Sequence, residues 1–88
     1  MIRIFSTDEP GATTIAIDGQ LVGEYVDAVE TCVQQAIGQR KPVHVFLRDV
    51  SDIDEHGRTL LSRLATKLVE LSASGIYSSN LVSEILRR

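Results

Sequence analysis

The sequence predicts an α/β fold: one mixed sheet of four strands with helical cover, in the order β-β-α-β-α-β-α. Three observations carry this expectation. Short apolar or alternating runs stand at Ile2 to Phe5, Thr13 to Asp18 and Val43 to Leu47, as strands require. Apolar residues at helical spacing run from Val22 or Glu24 to Ile37, and again from just after Asp54. The connections are short, without repeat, linker or low-complexity tract, so one sheet layered with helices satisfies every apolar face. The 88 residues, 43% hydrophobic, suit a single domain over 1–88. A chain of this length buries roughly 60–65% of its unfolded surface.

The first two strands lie close in sequence around Ser6-Thr-Asp-Glu-Pro-Gly11, which predicts an antiparallel hairpin with a loose loop. Ile15 and Ile17 alternate with Thr14 and Ala16; Gly19 is expected to permit a tight bend before Leu21 turns inward. The first helix sets Val22, Tyr25, Val26, Val29, Val33, Ala36 and Ile37 along one stripe, with Gly38 as its stop. Tyr25 reads as the edge of the core. Cys32 reads as a small packing residue, since no base or cation stands near it to activate a thiol.

Gln39-Arg-Lys-Pro42 is short, so Val43 to Leu47 completes a βαβ unit parallel to the second strand. Val43, Val45 and Leu47 face one way. His44 and Phe46 face the other, where a second helix layer has room to cover them, and His44 reads as a satisfied strand histidine. Asp54 is the expected N-cap of the second helix, with Glu55, His56 and Gly57 in its first turn and Leu60, Leu61, Leu64 and Leu68 on its buried side. Leu68-Val-Glu-Leu-Ser72 either prolongs that helix or forms a fourth strand. The strand is preferred, because Ala73-Ser-Gly75 then separates it from a last helix, from Tyr77 or Ser79 to Leu86, with Leu81, Val82, Ile85 and Leu86 inward.

A formal charge of −3 and a pI near 5.2 argue against a nucleic-acid surface, which needs a dense basic stripe. Arg58, Arg63 and Lys67 on one helix, and Arg87 and Arg88 at the end of another, read as a solvated face and a dipole-matched terminus. One cysteine makes no internal disulfide, and no Cys-His set for a structural metal exists, which suits a reducing cytosol. Met1 to Phe5 is too short for a signal or a membrane span. A soluble, cytoplasmic protein without cofactor or metal is expected.

Attention falls on the join between the third strand and the second helix, where Asp49, Asp52, Asp54, Glu55 and His56 crowd together in sequence. In open α/β sheets, ligands and partners meet the protein beyond the carboxyl ends of strands, where helix N-termini point. Asp52-Ile-Asp54-Glu-His-Gly57 mimics the start of a calcium loop, but histidine at the fifth position and Arg63 at the twelfth defeat it. No Ser-His-Asp set, phosphate loop or glycosidase pair can be assembled, and a small sheet without a lid has little to exclude water. A non-enzyme is expected.

Taken together, Gly19-Gln-Leu-Val22, the apolar third strand, Val50-Ser-Asp-Ile-Asp-Glu-His-Gly57 opening a leucine helix, and Leu71-Ser-Ala-Ser-Gly75 resemble the STAS domain of anti-sigma factor antagonists and sulfate-transporter tails. The likeness covers almost the whole chain, and its most specific segment is the Asp-x-x-Gly turn. The resemblance implies a single STAS-like domain acting in bacterial partner switching. There, an unmodified antagonist captures an anti-sigma factor, and phosphorylation of the first serine of Asp-Ser-Ser-Gly ends the capture. Here Asp54 and Gly57 match, but Glu55 and His56 stand where the serines would be. A phosphoserine brings about −1.5 to −2 charges to that first turn, and a carboxylate about −1. Glu55 therefore either holds the turn in a phosphate-like state or is an acid favoured in any first helical turn. Ser51 and Thr59 are the nearest substitute phosphorylation sites.

The expected contact surface is the turn Asp54, Glu55, His56, Gly57 and Arg58, with Thr59, Ser62 and Arg63 on the exposed side of the second helix. The partners implied are an anti-sigma factor or kinase-like protein, or another STAS protein, with a homodimer left open, and neither nucleic acid nor membrane. Two other classes stay open: a small-ligand sensor using the same helix N-terminus, against which the local acids speak for an anion, and a self-associating scaffold subunit.

Overall fold

The computed structural model describes residues 1–67 and 69–86; the roles expected of Leu68, Arg87 and Arg88 lie outside them. Seven elements follow in order: β1 (Ile2–Glu9), β2 (Ala12–Leu21), α1 (Glu24–Ile37), β3 (Val43–Ile53), α2 (Glu55–Ala65), β4 (Val69–Ala73) and α3 (Ile76–Leu86). The sheet runs β1-β2-β3-β4, with β1 antiparallel to β2, and β2, β3 and β4 mutually parallel. Class, element order and mixed pairing are as the sequence predicts, and Val69 to Ala73 is strand rather than helix.

Ile15, Ile17 and Leu21 of β2 and Val43, Val45 and Leu47 of β3 meet Val26, Val29, Val33 and Ala36 of α1, Leu60, Leu61 and Leu64 of α2, and Leu81, Val82 and Ile85 of α3 in one buried cluster. All three helices thus serve the same face of the sheet. No helix among the described residues covers the side of His44 and Phe46, which corrects the expected second layer. Polar groups occupy that open face instead: His44 Nε2 hydrogen-bonds Ser72 Oγ, and the Arg48 guanidinium pairs with Asp18 and lies 4.8 Å from the centroid of the exposed Phe5 ring. Leu86, expected inward, is 54% exposed at the end of α3.

Two connections are tighter than expected. The loose hairpin loop closes to a Pro10-Gly11 turn, with Glu9 opposite Ala12. Thr13 Oγ1 donates to Asp8 Oδ1 (3.1 Å), and Lys41 Nζ donates to Asp8 and to the Glu9 carbonyl (3.1 Å), so the strand ends are pinned from the side. Nor does β2 bend at Gly19. The strand continues to Leu21, with Gly19 at φ +108° so that the Met1 carbonyl passes where a Cβ would sit 2.4 Å away.

The largest departure is β3. It does not stop at Leu47 but runs on to Ile53 through Arg48-Asp-Val-Ser-Asp, residue types poor in strand preference. Pairing to β2 slips twice: Ile17 opposes Leu47 while Asp18 opposes Asp49, and Gly19 opposes Val50 while Gln20 opposes Asp52. Arg48 and Ser51 are therefore the extra residues of two bulges. Each bulge adds one residue, so the buried positions fall at Leu47, Val50 and Ile53, every third residue, and the alternation that betrays a strand is lost.

Beyond Leu47, β4 no longer borders β3, since Leu47 pairs with the last residue of β4, Ala73. An open edge would leave backbone groups unpaired. Hydroxyls from the β4–α3 connection and the first turn of α3 take the place of a strand: Ser74 Oγ donates to the Arg48 carbonyl (2.7 Å) and buried Ser78 Oγ to the Val50 carbonyl (3.0 Å). Tyr77 Oη accepts from the Ile53 N–H (3.1 Å) and lies 3.4 Å from its carbonyl. The bulged segment is thereby tied to α3 and its leading connection up to the corner where α2 begins.

Candidate functional site

That corner is built by two residues of the Asp-x-x-Gly tetrad. Asp54 has extended backbone angles and caps α2: Oδ1 accepts from the Gly57 N–H (2.9 Å), and Oδ2 accepts from the Gly23 N–H (2.8 Å) at the entry to α1. One carboxylate thus ties the starts of two helices together. These two backbone donors, Gly57 first and Gly23 second, hold its carboxyl below the usual carboxylate range. Gly57 is buried against the end of β2, where a Cβ would lie 2.5 Å from the Leu21 carbonyl oxygen and 2.8 Å from Ile53 Cγ2. The same Leu21 carbonyl accepts from the Asp54 N–H (3.3 Å).

Asp54 and Gly57 are therefore committed to the scaffold, while Glu55 and His56 between them are exposed. Thr59 Oγ1 donates back to the Glu55 carbonyl (2.9 Å), and Arg58 reaches α3 through Glu84 (2.9 Å). Arg63 reaches α1 through Glu30 (3.0 Å), so α2 is braced on both sides. Both ion pairs are substantially exposed and contribute little to stability.

Along α2 runs an open groove of about 580 Å³ lined by Glu55, Arg58, Thr59, Ser62, Arg63, Thr66 and Ile85. Five of the residues expected at the contact surface are gathered in it. Asp54, His56 and Gly57 are not among its walls. Thr66 and Ile85 escaped the sequence reading. Thr66 had a local signal, since Glu55, Thr59, Ser62 and Thr66 follow one helical stripe at i, i+4, i+7 and i+11. Ile85 had none, because it arrives from α3 through tertiary packing.

The acids crowded in sequence are dispersed in space. Asp49 and Ser51 sit in the bulged strand and line a separate hollow of about 360 Å³ with Met1, Arg3, Asp18 and Gly19. Ser51 is thus a strand residue, not part of the turn. Its hydroxyl lies 3.5 Å from the Gly19 carbonyl. Asp52 is an exposed strand residue opposite Gln20. Cys32 is half-buried, and that burial pushes its thiol up, away from the reactive thiolate. Among the described residues no cluster of His, Cys, Asp and Glu is arranged to hold a metal ion, and no helix is long and apolar enough to cross a membrane.

No protein-family model and no curated protein matches this sequence. Among solved structures, the chain is similar to an anti-sigma factor antagonist from Mycobacterium paratuberculosis, at 18% identity and a TM-score of 0.75, covering 85% of this chain and 69% of that one. The chain shares the fold of that antagonist, as the STAS resemblance implies; in this chain it is a four-stranded mixed sheet with three helices in the order β-β-α-β-α-β-α.

Proposed function

We propose that this chain is a non-enzymatic, cytoplasmic protein-interaction domain of the anti-sigma factor antagonist kind, working in bacterial partner switching on a kinase-like anti-sigma factor or another STAS protein. The observation that carries the proposal is the division of labour within the tetrad. Asp54 and Gly57 are consumed in building the corner, so the two middle residues are left exposed, with Glu55 lining the α2 groove. That groove is open and mixed in character, with arginines, hydroxyls and one isoleucine. Such a surface suits the face of a protein better than an enclosed small molecule.

Glu55 is proposed as the contact that sets the partner's preference. Its fixed negative charge at the N-terminus of α2 stands where phosphorylation would otherwise act, and the helix dipole favours either anion there. The domain then recognises its partner without kinase control. Affinity capture from native lysate identifies the partner, and titration calorimetry with the parent, Glu55→Ala and Glu55→Ser then measures the turn. The expectation is at least tenfold weaker binding for both variants, with a similar loss for Ser62→Arg within the groove. Equal affinity of all four proteins would remove both Glu55 and the groove from the interface.

A further inference from the structure

At the opposite end of the sheet, where β3 and β4 begin, lies a second hollow of about 530 Å³ lined by Ile37, Pro42, Val43 and Val69 together with Arg40, Lys41 and Lys67. Its size falls within the roughly 300–1,000 Å³ usual for small-molecule sites. The four uncharged residues are all apolar, and each charged residue among its described walls is a cation.

Those cations differ in their commitments. Lys41 is taken up by Asp8 and the Glu9 carbonyl, and so belongs to the wall. The side chains of Arg40 and Lys67 have no hydrogen bond or ion pair among the described residues. Arg40 moreover has φ +61°, a left-handed backbone uncommon for a residue with a side chain. Cations near the ends of α1 and α2 also suit the helix dipoles, and a left-handed residue is a common way for a chain to leave a helix, but neither role explains the apolar lining.

We propose that this hollow binds a medium-chain fatty acid, with the hydrocarbon on Ile37, Pro42, Val43 and Val69 and the carboxylate between Arg40 and Lys67. A singly charged head group fits better than a phosphate dianion. Glu70 lines the adjoining hollow shared with Lys67 and Val69, and the negative ends of two helix dipoles lie nearby. The site is separate from the α2 groove and independent of the partner-binding proposal.

The test is an amide-resolved NMR titration of the full chain with decanoate, with decanol as a tail without charge and acetate as a charge without tail. Decanoate is expected to saturate, moving the amides of Ile37, Val43 and Val69, and to bind at least tenfold more tightly than decanol. Acetate is expected to move nothing. Arg40→Gln with Lys67→Gln keeps the spectrum of the folded protein and weakens decanoate at least tenfold. Equal binding of decanol, unchanged binding by the double variant, absence of saturation, or shifts confined to Glu55–Arg63 would each overturn the assignment. Cosedimentation with phosphatidylglycerol vesicles separates the remaining source of acyl anions: vesicle binding without decanoate binding overturns it in favour of a lipid surface.

Discussion

Replacing Gly57 by alanine puts a methyl carbon 2.5 Å from the Leu21 carbonyl oxygen, 2.8 Å from Ile53 Cγ2 and 3.2 Å from Leu21 Cγ. The two effects of the change oppose each other. Helix propensity alone favours alanine over glycine by about 1 kcal/mol. Overpacking costs about 1–3 kcal/mol, towards the upper end here because the nearest atom is backbone and has no rotamer to escape into. If α2 withdraws instead, the Asp54 N–H bond to Leu21, already 3.3 Å, lengthens further. The net expectation is a destabilisation of roughly 1–2 kcal/mol, or a drop of about 5–15 °C in melting temperature for a domain of this size.

Thermal and urea melts followed by circular dichroism read this directly. Gly38→Ala provides the comparator. Its backbone is right-handed at φ −62°, and its nearest neighbour is the Gln35 carbonyl at an ordinary 3.5 Å, so propensity acts there without a clash. The pair should move in opposite directions or leave only Gly57→Ala destabilised. A Gly57→Ala protein as stable as the parent would refute the claim that α2 touches β2 at this residue.

Acid should weaken the fold through three carboxylates. Asp54 is held low by the Gly57 and Gly23 amides, Asp18 chiefly by its hydrogen bond with Arg48, and Asp8 chiefly by its hydrogen bond with Lys41. With folded pKa values below the unfolded value of about 3.9, their contribution is complete above roughly pH 4 and lost as pH falls through the lowered values. Urea midpoints measured from pH 7 to pH 3 should therefore fall only at the acid end, and less steeply for Asp54→Asn than for the parent. Ser78→Ala should cost about 1–3 kcal/mol in the same melts, because the buried Val50 carbonyl loses its side-chain donor. Glu55→Ser and Glu55→Ala should shift stability by less than about 1 kcal/mol, as expected for an exposed side chain away from the core. A larger loss would show that Glu55 belongs to the scaffold after all.

What could be read from the sequence followed the reach of each interaction. Asp54 as a cap and Leu60, Leu61 and Leu64 as a buried stripe are consequences of local helix geometry, and both stand. The parallel pairing of β2 with β3 followed from the single helix between them. The second half of β3 was hidden because two bulges change its inward period from two to three, and because its edge partners are hydroxyls of Ser74 and Ser78 rather than another strand. Ile85 and the separation of Asp49 and Ser51 from the α2 turn depend on that same register, and no local rule encodes it.

The bulges also explain why the tetrad tolerates glutamate and histidine at its centre. Two extra residues in β3 let the strand travel alongside β2 to Leu21 and deliver Asp54 and Gly57 against that residue's carbonyl. Both contacts constrain backbone position: one N–H must meet the carbonyl, and one Cα must pass without a Cβ. Neither involves the side chains of Glu55 or His56, so the fold fixes where those side chains stand while leaving their chemistry free. An Asp-x-x-Gly turn of this kind fixes a backbone corner with its first and last residues and leaves the two middle side chains outside that framework.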